Sequence, residues 1–459
     1  MNVTSRLAWP ALILLVVILT VRLISLSFYP LMDTTEARYG EMARLMVETG
    51  NWLTPLFDYN VPFWGKPPLH TWMSAAGLKL FGVNEFAARV PHWFTAVLTL
   101  ALVAGFARKL AISALQSAII LSTCVVFYIS AGAVMTDMAL TLGMTLAMIG
   151  FYLCWQGDYR WGYAGFSGLA IGLLAKGPVV IVLMGIAVFM WLLWCYGPVK
   201  LWGKLWRKVP LISGLLLMLA IAAPWYMLAE KATPGFLQYF LVGEHWLRFV
   251  DSGWTGDLYG SAHDEPRGTI WLFFVVAAMP WSLFLPWALW RLQRSETGLA
   301  PLHKFLICWM LAPMVLFTLA GNILPAYVLP GIPALALLLS SAWQGKAMPG
   351  QAIIAATIPL LLAATVVVLN TGPSKLKSDK WLLSDLPEAT QVYYVGKRPF
   401  SSRFYSEGQS VAIAPKQLTQ LTGQDYWLVV PQKQVAQLDL GHCQLTRSTK
   451  DKQLLQCQG

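Results

Sequence analysis

A series of apolar stretches, each about 18 to 25 residues long, dominates the pattern of this chain. Stretches of that length cross the roughly 30 Å hydrocarbon layer of a membrane as helices, and they are continuous, unlike the alternating strands of a transmembrane barrel. Lys176-Gly177-Pro178 interrupts one long run, which could be two spans or a single kinked helix. We predict about eleven spans, near 7–28, 86–107, 111–131, 135–155, 161–176, 178–197, 209–229, 268–290, 304–320, 325–342 and 350–370.

The composition supports a membrane protein, because 57% of the residues are hydrophobic and only 12% are charged, against about 25% charged in soluble domains. The net charge of +11 does not indicate nucleic-acid binding, since no such motif is present. With a cytoplasmic N terminus, the basic residues instead collect at the inner ends of the spans, as the positive-inside rule expects. These residues are Arg6, Arg108, Lys109, Arg160, Lys200, Lys204, Arg207, Lys208, Arg291, Arg294, Lys304 and Lys346.

The same orientation places the tail of the chain on the outer side. From residue 372 onward the sequence is rich in β-forming residues bounded by turn residues, at 391–395, 409–414 and 425–430. We therefore predict an all-α membrane domain over 1–371 and a small soluble α/β domain over 372–459.

Six cysteines are present, and only Cys443 and Cys457 lie in this predicted outer domain. A disulfide between them is plausible in an oxidising compartment, although the sequence leaves the pairing open. Two cysteines without clustered neighbours do not form a metal site.

The first outer loop, residues 29–90, carries acidic groups beside the membrane. Thr34-Thr35-Glu36 precedes a helical pattern, which predicts an amphipathic helix on the membrane surface. A surface helix alone would account for its later charges, but it accounts less well for Asp33 and Glu36 at the exit of the first span. Ionisable groups in such positions usually serve chemistry or transport.

The same loop contains a lysine in a rigid aromatic setting, Phe63-Trp64-Gly65-Lys66-Pro67-Pro68, followed by His70. The two prolines fix the backbone after the lysine, and a lysine held in this way can bind phosphate as a point charge. The alternative is a lysine that extends to the interface within an aromatic belt.

Three further polar groups fall on the same predicted face. Asp137 is the sole acid between Glu85 and Asp158; it could be a helix cap in water or a functional carboxylate. Glu244 and Arg248 are spaced to pair on a helix, whereas a functional arrangement would turn Glu244 or His245 toward a metal or donor and Arg248 toward phosphate. Leu324-Pro325-Ala326-Tyr327 opens the tenth span near this face. The convergence of these ionisable groups on one face of the membrane favours a functional site over scattered surface charges.

The order of these motifs resembles the polyprenyl-phosphate-dependent membrane glycosyltransferases of the GT-C class, over about residues 5–345. The nearer relatives in that class are the lipid A aminoarabinose transferases and the bacterial protein O-mannosyltransferase-like group. The matching motifs are Glu36-Ala-Arg38-Tyr39 with Glu41, Gly50-Asn-Trp52-Leu-Thr-Pro55, Lys66-Pro-Pro, Phe81-Gly-Val-Asn-Glu85-Phe-Ala-Ala-Arg89, Asp137, Lys176-Gly177, Glu244-His245-x-x-Arg248-Phe249 and Leu324-Pro325-x-Tyr327.

The resemblance implies an inverting transfer from an undecaprenyl-phosphate-linked sugar to a lipid, glycan or protein acceptor, outside the bacterial inner membrane. It implies a carboxylate that handles the acceptor proton and cations that hold the leaving phosphate. The residues implied are Glu36, Asp33 and Asp137 for catalysis; Lys66, Arg38 and Arg248 for the donor phosphate; and Tyr39, Trp64, His70, Lys176 and Tyr327 for the substrate cavity. A divalent metal at His245 and Glu244 is the one cofactor implied.

Three departures from the relatives' pattern qualify this. Thr35 stands where many relatives have an aspartate, so the base is either Glu36 or Asp33. Gly65 stands where the aminoarabinose transferases have an acid, and in those relatives this acid and the histidine that matches His245 could share a metal. The metal site implied here therefore lacks one ligand. Ile323 replaces a lysine, and the sugar pocket is therefore not assigned to aminoarabinose.

Two other functions remain to be weighed. A transporter or flippase of a lipid-linked sugar would keep its acids within several spans, near the middle of the bilayer. A non-catalytic scaffold would depend on the tail, 372–459, rather than on the loop residues.

Overall fold

The computed structural model describes residues 3–251, 254–260, 265–295, 298–343, 350–371, 377–384, 386–387, 390–421 and 425–458. Over these residues the molecule is mainly helical, with a two-stranded sheet in the first outer loop and a five-stranded sheet near the C terminus. The α-helices are α1 Val3–Ser25, α2 Thr35–Thr49, α3 Leu69–Phe81, α4 Glu85–Lys109, α5 Ala114–Ser122, α6 Val125–Ser130, α7 Asp137–Trp155, α8 Arg160–Lys176, α9 Val179–Lys208, α10 Leu211–Ala232, α11 Phe236–Gln238, α12 Arg248–Val250, α13 Thr269–Ala277, α14 Leu285–Gln293, α15 Pro301–Phe317, α16 Ile332–Trp343, α17 Gln351–Thr371, α18 Lys380–Leu383 and α19 Phe400–Tyr405.

The remaining elements are a π-helical segment, short 3₁₀ helices and seven strands. The π segment is Tyr239–Leu247, and the 3₁₀ helices are Trp281–Phe284, Pro325–Gly331, Pro415–Gln420 and Gln432–Gln437. The strands are β1 Leu56–Asp58, β2 Val61–Pro62, β3 Val392–Val395, β4 Ser410–Ile413, β5 Tyr426–Pro431, β6 Cys443–Ser448 and β7 Lys452–Cys457.

Helices occur at all eleven predicted spans, and the class of polytopic helical membrane protein is confirmed. Within the described residues, six helices are long and apolar enough to cross a membrane by themselves. They are α4, α7, α9, α10, Pro325–Trp343 and Ala352–Thr371. The predicted eighth span is instead two helices, Thr269–Ala277 and Trp281–Gln293, bent by 101°; together they form a seventh candidate.

The predicted break between the fifth and sixth spans is present. α8 ends at Lys176, and Gly177 takes a φ of +93°, a conformation that favours glycine. Pro178 then precedes the first residue of α9, where a missing backbone N–H carries no cost.

Helices α7 and α8 pack so closely that glycines are required between them. A Cβ on Gly143 would lie 2.7 Å from the carbonyl oxygen of Gly168, and one on Gly150 would lie 2.5 Å from the amide nitrogen of Gly165. Small residues let membrane helices approach in this way. Since α7 begins at Asp137 and α8 ends at Lys176, this antiparallel contact brings the carboxylate and the ammonium to the same end of the helix pair.

The C-terminal sheet has the strand order β4-β3-β5-β7-β6. Strands β3, β4 and β5 run parallel, and β7 pairs antiparallel with β5 and β6. This is the small α/β unit that the sequence predicts. A disulfide joins Cys443 to Cys457 across the last strand pair, which confirms the pairing that the sequence left open.

The tail packs directly on the first outer loop. Phe404 of α19 is buried in one cluster with Met42 of α2 and with Leu31. Arg398 and Arg403 form ion pairs with Asp58 of β1, at 2.7 and 3.1 Å. The predicted domain boundary at 371–372 falls at the edge of 372–376, outside the described residues, and the tail is held in place through the loop.

Candidate active site

An ion cluster joins the first outer loop to the segment after α11. Lys66 Nζ lies 3.4 Å from one carboxylate oxygen of Glu244, and Arg248 Nη1 lies 2.9 Å from the other. Arg248 also lies 3.2 Å from Asp257. Burial opposes the charged form of Glu244, but the positive charges of Lys66 and Arg248 outweigh it and lower the pKa of that carboxyl. Two cations from distant parts of the chain are therefore held by one carboxylate.

The contact between Lys66 and Glu244 leaves little room for a side chain at residue 65, which is a glycine. A Cβ at this position would lie 2.8 Å from the ring of Phe63 and 3.1 Å from a carboxylate oxygen of Glu244. The preceding carbonyl is also used, because Lys66 Nζ donates to the Gly65 oxygen at 2.6 Å. The glycine that departs from the relatives' pattern thus allows Glu244 to reach the lysine.

A second ion pair lies beside the first cluster. Lys176 Nζ lies 2.6 Å from Asp137, and it stands 4.2 Å from the centre of the Tyr327 ring. His245 connects the two groups, because its Nε2 is 3.2 Å from the Lys176 carbonyl oxygen and its Nδ1 is 2.7 Å from that of Phe240. A Cβ on Gly177 would come within 3.0 Å of that imidazole. The break after α8 therefore lets the histidine approach the backbone.

Aromatic rings form a wall next to these cations. The Arg38 guanidinium lies 5.0 Å from the centre of the Tyr39 ring and 5.9 Å from that of Phe63, and it donates to the Tyr259 carbonyl at 2.7 Å. The Phe63 and Tyr259 rings lie 4.7 Å apart. The Tyr39 ring also meets the His70 ring edge to face at 4.5 Å. The predicted residues Arg38 and Tyr39 thus pack against Phe63, in the same loop segment as Lys66.

Two other predicted cavity residues are largely structural in their contacts. Trp64 donates from its indole nitrogen to Thr233 at 3.1 Å, at the end of α10. His70 is fully buried, and burial, with the nearby positive charge of Lys66, lowers its pKa to about 3. It is therefore a neutral imidazole at physiological pH.

The gathered side chains carry a small excess of positive charge. Lys66, Arg248, Arg38 and Lys176 face three carboxylates, those of Glu244, Asp257 and Asp137. One positive charge remains, which matches the single negative charge of a phosphodiester.

The structure does not bring Glu36 into this group. Its carboxylate makes a two-pronged ion pair with Arg89, at 2.6 and 2.8 Å. Arg89 is fully buried and also donates to the carbonyls of Leu26, Tyr29 and Pro30. This pair ties the start of α2 to α4, and the same carboxylate accepts from the backbone N–H of Val134 at 3.3 Å, three residues before Asp137. The catalytic role of Glu36 stays a prediction.

Asp33 is also turned away from the cations. It accepts hydrogen bonds from the backbone and hydroxyl of Ser401 in α19, and burial raises its pKa. The carboxylate thus anchors the tail on the first loop. Of the three predicted catalytic carboxylates, Asp137 is the one placed beside the cations.

The predicted metal ligands do not suit a metal ion as they are arranged. Both nitrogens of His245 face backbone carbonyl oxygens, and the Glu244 carboxylate is neutralised by two cations. A metal needs a free ring nitrogen and an available carboxylate oxygen. Among the described residues, the one metal-like grouping is His442 with the two disulfide-bonded cysteines, whose sulfurs are not free to ligate. We therefore derive no step through a metal.

Sequence reasoning missed Asp257 and Tyr259, which hold Arg248 and Arg38. They lie in a polar stretch without helical periodicity, and no spacing links them to their partners. Arg89 belongs to a matched motif, but nothing in the sequence shows that its partner is Glu36, 53 residues earlier.

Fold and site together describe a multi-pass membrane protein with a cationic, aromatic-lined site at one end of its helices. The sequence profile described as dolichyl-phosphate-mannose-protein mannosyltransferase matches residues 7–240, about half of the chain. The chain belongs to this family, and the resemblance inferred from its motifs is confirmed.

Curated relatives extend the likeness. An undecaprenyl phosphate-alpha-4-amino-4-deoxy-L-arabinose arabinosyl transferase from Erwinia tasmaniensis is 30% identical over 76% of this chain. Another, from Shewanella sediminis, is 28% identical over 79% of it. The chain spans 63% and 66% of the length of these two relatives.

A solved structure shares the whole fold. The crystal structure of ArnT from Cupriavidus metallidurans bound to undecaprenyl phosphate matches with a TM-score of 0.80, covering 99% of this chain and 98% of that one. At 19% identity, this likeness establishes the fold, including the tail that the family profile does not reach.

Proposed function

We propose that this protein is an inverting glycosyltransferase that uses an undecaprenyl-phosphate-linked sugar. The observation that carries the proposal is the meeting of Lys66 and Arg248 on one carboxylate, with Asp137 and Lys176 alongside. Membership of a polyprenyl-phosphate-sugar family and the relatives' stated activity support it.

The cations would act on the leaving group. When the acceptor oxygen bonds to the anomeric carbon, the bond from that carbon to the phosphate oxygen breaks, and its electron pair stays on the phosphate. The negative charge there grows, and Lys66 and Arg248 are positioned to stabilise it. Attack opposite the phosphate inverts the anomeric centre.

Asp137 is the carboxylate that we assign to the acceptor. It is almost fully buried and hydrogen-bonded to Lys176 at 2.6 Å, so it can orient an acceptor hydroxyl and take its proton as the bond forms. Lys176, whose ammonium also lies 4.2 Å from the centre of the Tyr327 ring, would hold this carboxylate in position.

The sugar is a pentosyl or hexosyl group, and the acceptor a lipid, glycan or protein outside the inner membrane. The names of the relatives reported above support an amino sugar. We propose a cytoplasmic N terminus and a periplasmic tail, which the distribution of basic residues supports and the disulfide between Cys443 and Cys457 favours.

A transporter would need its charged groups near the bilayer midplane. The ion pairs described here instead lie where helices begin or end, at Asp137, Lys176 and the loops. The site therefore favours transfer at the membrane surface.

The test combines a product assay with matched variants. Mass spectrometry of lipid A and exported glycoproteins, with and without the protein, should show a difference of one sugar. Purified Lys66→Gln and Asp137→Asn should lose transfer, whereas Lys79→Gln, an exposed lysine on α3, should keep it. Full activity in both site variants would contradict the proposal, and deletion of 372–459 that abolished function while both site variants stayed active would favour a scaffold.

A further inference from the structure

A cavity lies at the ends of the helices that are farthest from the candidate active site. Two helices connect the two regions, since Phe317 at the end of α15 packs on Tyr327 and Tyr327 stands just before α16. The cavity forms at the opposite ends of these helices, together with the ends of α4 and α14. The 17 residues of α15 span about 25 Å between the two regions.

This cavity has about 410 Å³ of space, within the range of sites that hold small ligands. It is amphipathic, since Leu110, Ile112 and Leu302 line it together with Arg291 and His303. None of its described lining residues is acidic.

Arg291 supplies a positive charge that is not neutralised within the described part of the chain. No salt bridge there reaches it, and its guanidinium lies 5.5 Å from the Trp287 ring. An arginine with free donors beside a cavity is suited to a phosphate group.

His303 adds a second polar group. Its Nε2 contacts the Ser341 hydroxyl at 3.0 Å, while its Nδ1 is buried and makes no hydrogen bond to the described residues. His303 also stands in the first turn of α15, whose N-cap is Ala300 and offers no side-chain acceptor. The positive end of that helix therefore points into the same region as Arg291.

We propose that this cavity binds the phosphate of an anionic bilayer phospholipid, with the apolar residues receiving the start of its acyl chains. Basic pockets between membrane helices recognise acidic headgroups in this way. A charge that served orientation alone would need neither a cavity nor unpaired donors. The site is separate from sugar transfer and does not depend on the proposed function.

The test uses the full-length protein in nanodiscs or mixed micelles that contain phosphatidylglycerol, phosphatidylethanolamine or both. Native mass spectrometry counts the retained lipids, and titration gives their apparent affinity. The variants are Arg291→Gln and His303→Gln, and the matched control is Arg294→Gln, an exposed arginine that does not line the cavity. Inorganic phosphate and glycerol 3-phosphate serve as soluble competitors.

We expect one phosphatidylglycerol to be retained in preference to phosphatidylethanolamine. Arg291→Gln should weaken that retention about tenfold, His303→Gln should weaken it less, and Arg294→Gln should leave it unchanged. Equal retention of the two lipids, or equal effects of the two arginine substitutions, would overturn the proposal. Glycerol 3-phosphate or phosphate binding as tightly as the lipid would also overturn it, because the ligand would then be a soluble anion. If Arg291→Gln does not fold, the His303→Gln result decides.

Discussion

Substitution of Glu36, which forms an ion pair with Arg89, distinguishes a structural role of this carboxylate from a role in the reaction. The Arg89 side chain is fully buried and that of Glu36 is 13% exposed, and removing one partner of a buried pair costs about 3–5 kcal/mol. In Glu36→Gln, Arg89 keeps three carbonyl acceptors and the Tyr29 ring, 3.7 Å away. We therefore expect a loss near the lower limit, about 3 kcal/mol.

The assay is SDS-induced unfolding in mixed micelles, followed by tryptophan fluorescence, with transfer measured on the still-folded fraction. The control is Glu48→Gln, whose carboxylate also pairs with an arginine on α2 but is 46% exposed; its cost should stay below about 1 kcal/mol. A Glu36→Gln protein as stable as the wild type, but with turnover reduced a hundredfold or more, would refute this reasoning. Glu36 would then act on the substrate.

Three further outcomes follow from the contacts. Gly65→Ala should displace Glu244 from Lys66, because the new Cβ would lie 3.1 Å from the Glu244 carboxylate, and it should reduce transfer at least tenfold. The control is Gly82→Ala, where no atom lies near the new methyl group. This control should affect stability alone. Burial raises the pKa of Asp58, but two arginines of the tail outweigh this effect and lower that pKa. The docking of the tail should therefore be fully stable at neutral pH and should weaken as the pH falls through the lowered pKa, below about 4. Hydrogen exchange of β1 would detect the change. Reduction of Cys443–Cys457, which closes a loop of 14 residues, should cost the tail about 3 kcal/mol, measured by thermal unfolding, with little change in transfer; a tail as stable after reduction would contradict this.

Hydrophobic patterning predicted the helical segments well because burial in lipid depends on local composition. The eighth span shows the limit, since hydropathy treats it as one apolar run, whereas a bend of 101° follows Ala277. Pro280, which lies in the break, interrupts a helix with little effect on the mean hydropathy of the run. On the far side of the bend Trp281 is fully buried and donates to Thr123, a partner 158 residues earlier.

For the site, the sequence identified Lys66, Arg248, Glu244 and Asp137 as groups on one face, and the structure places them together. It could not show which carboxylates face the cations. Glu36 is the first residue of a matched motif and Asp33 lies three residues before it, yet both carboxylates are held by structural contacts, with Arg89 and Ser401.

The reason lies in partners that are distant along the chain. Asp33 is held by Ser401, 368 residues later, and Asp257 reaches Arg248 from a segment without periodicity. Periodicity and spacing report only local geometry, so such pairings become visible only in three dimensions.

The central claim is that Lys66 and Arg248, from two separate outer segments, hold one donor phosphate. Isothermal titration of undecaprenyl phosphate into the wild type, Lys66→Gln, Arg248→Gln and the double variant tests it most directly. We predict that each single substitution weakens binding by about 1.5–3 kcal/mol and that the double variant loses less than their sum, because the two groups share one ligand. Unchanged affinity in both single variants would contradict the account.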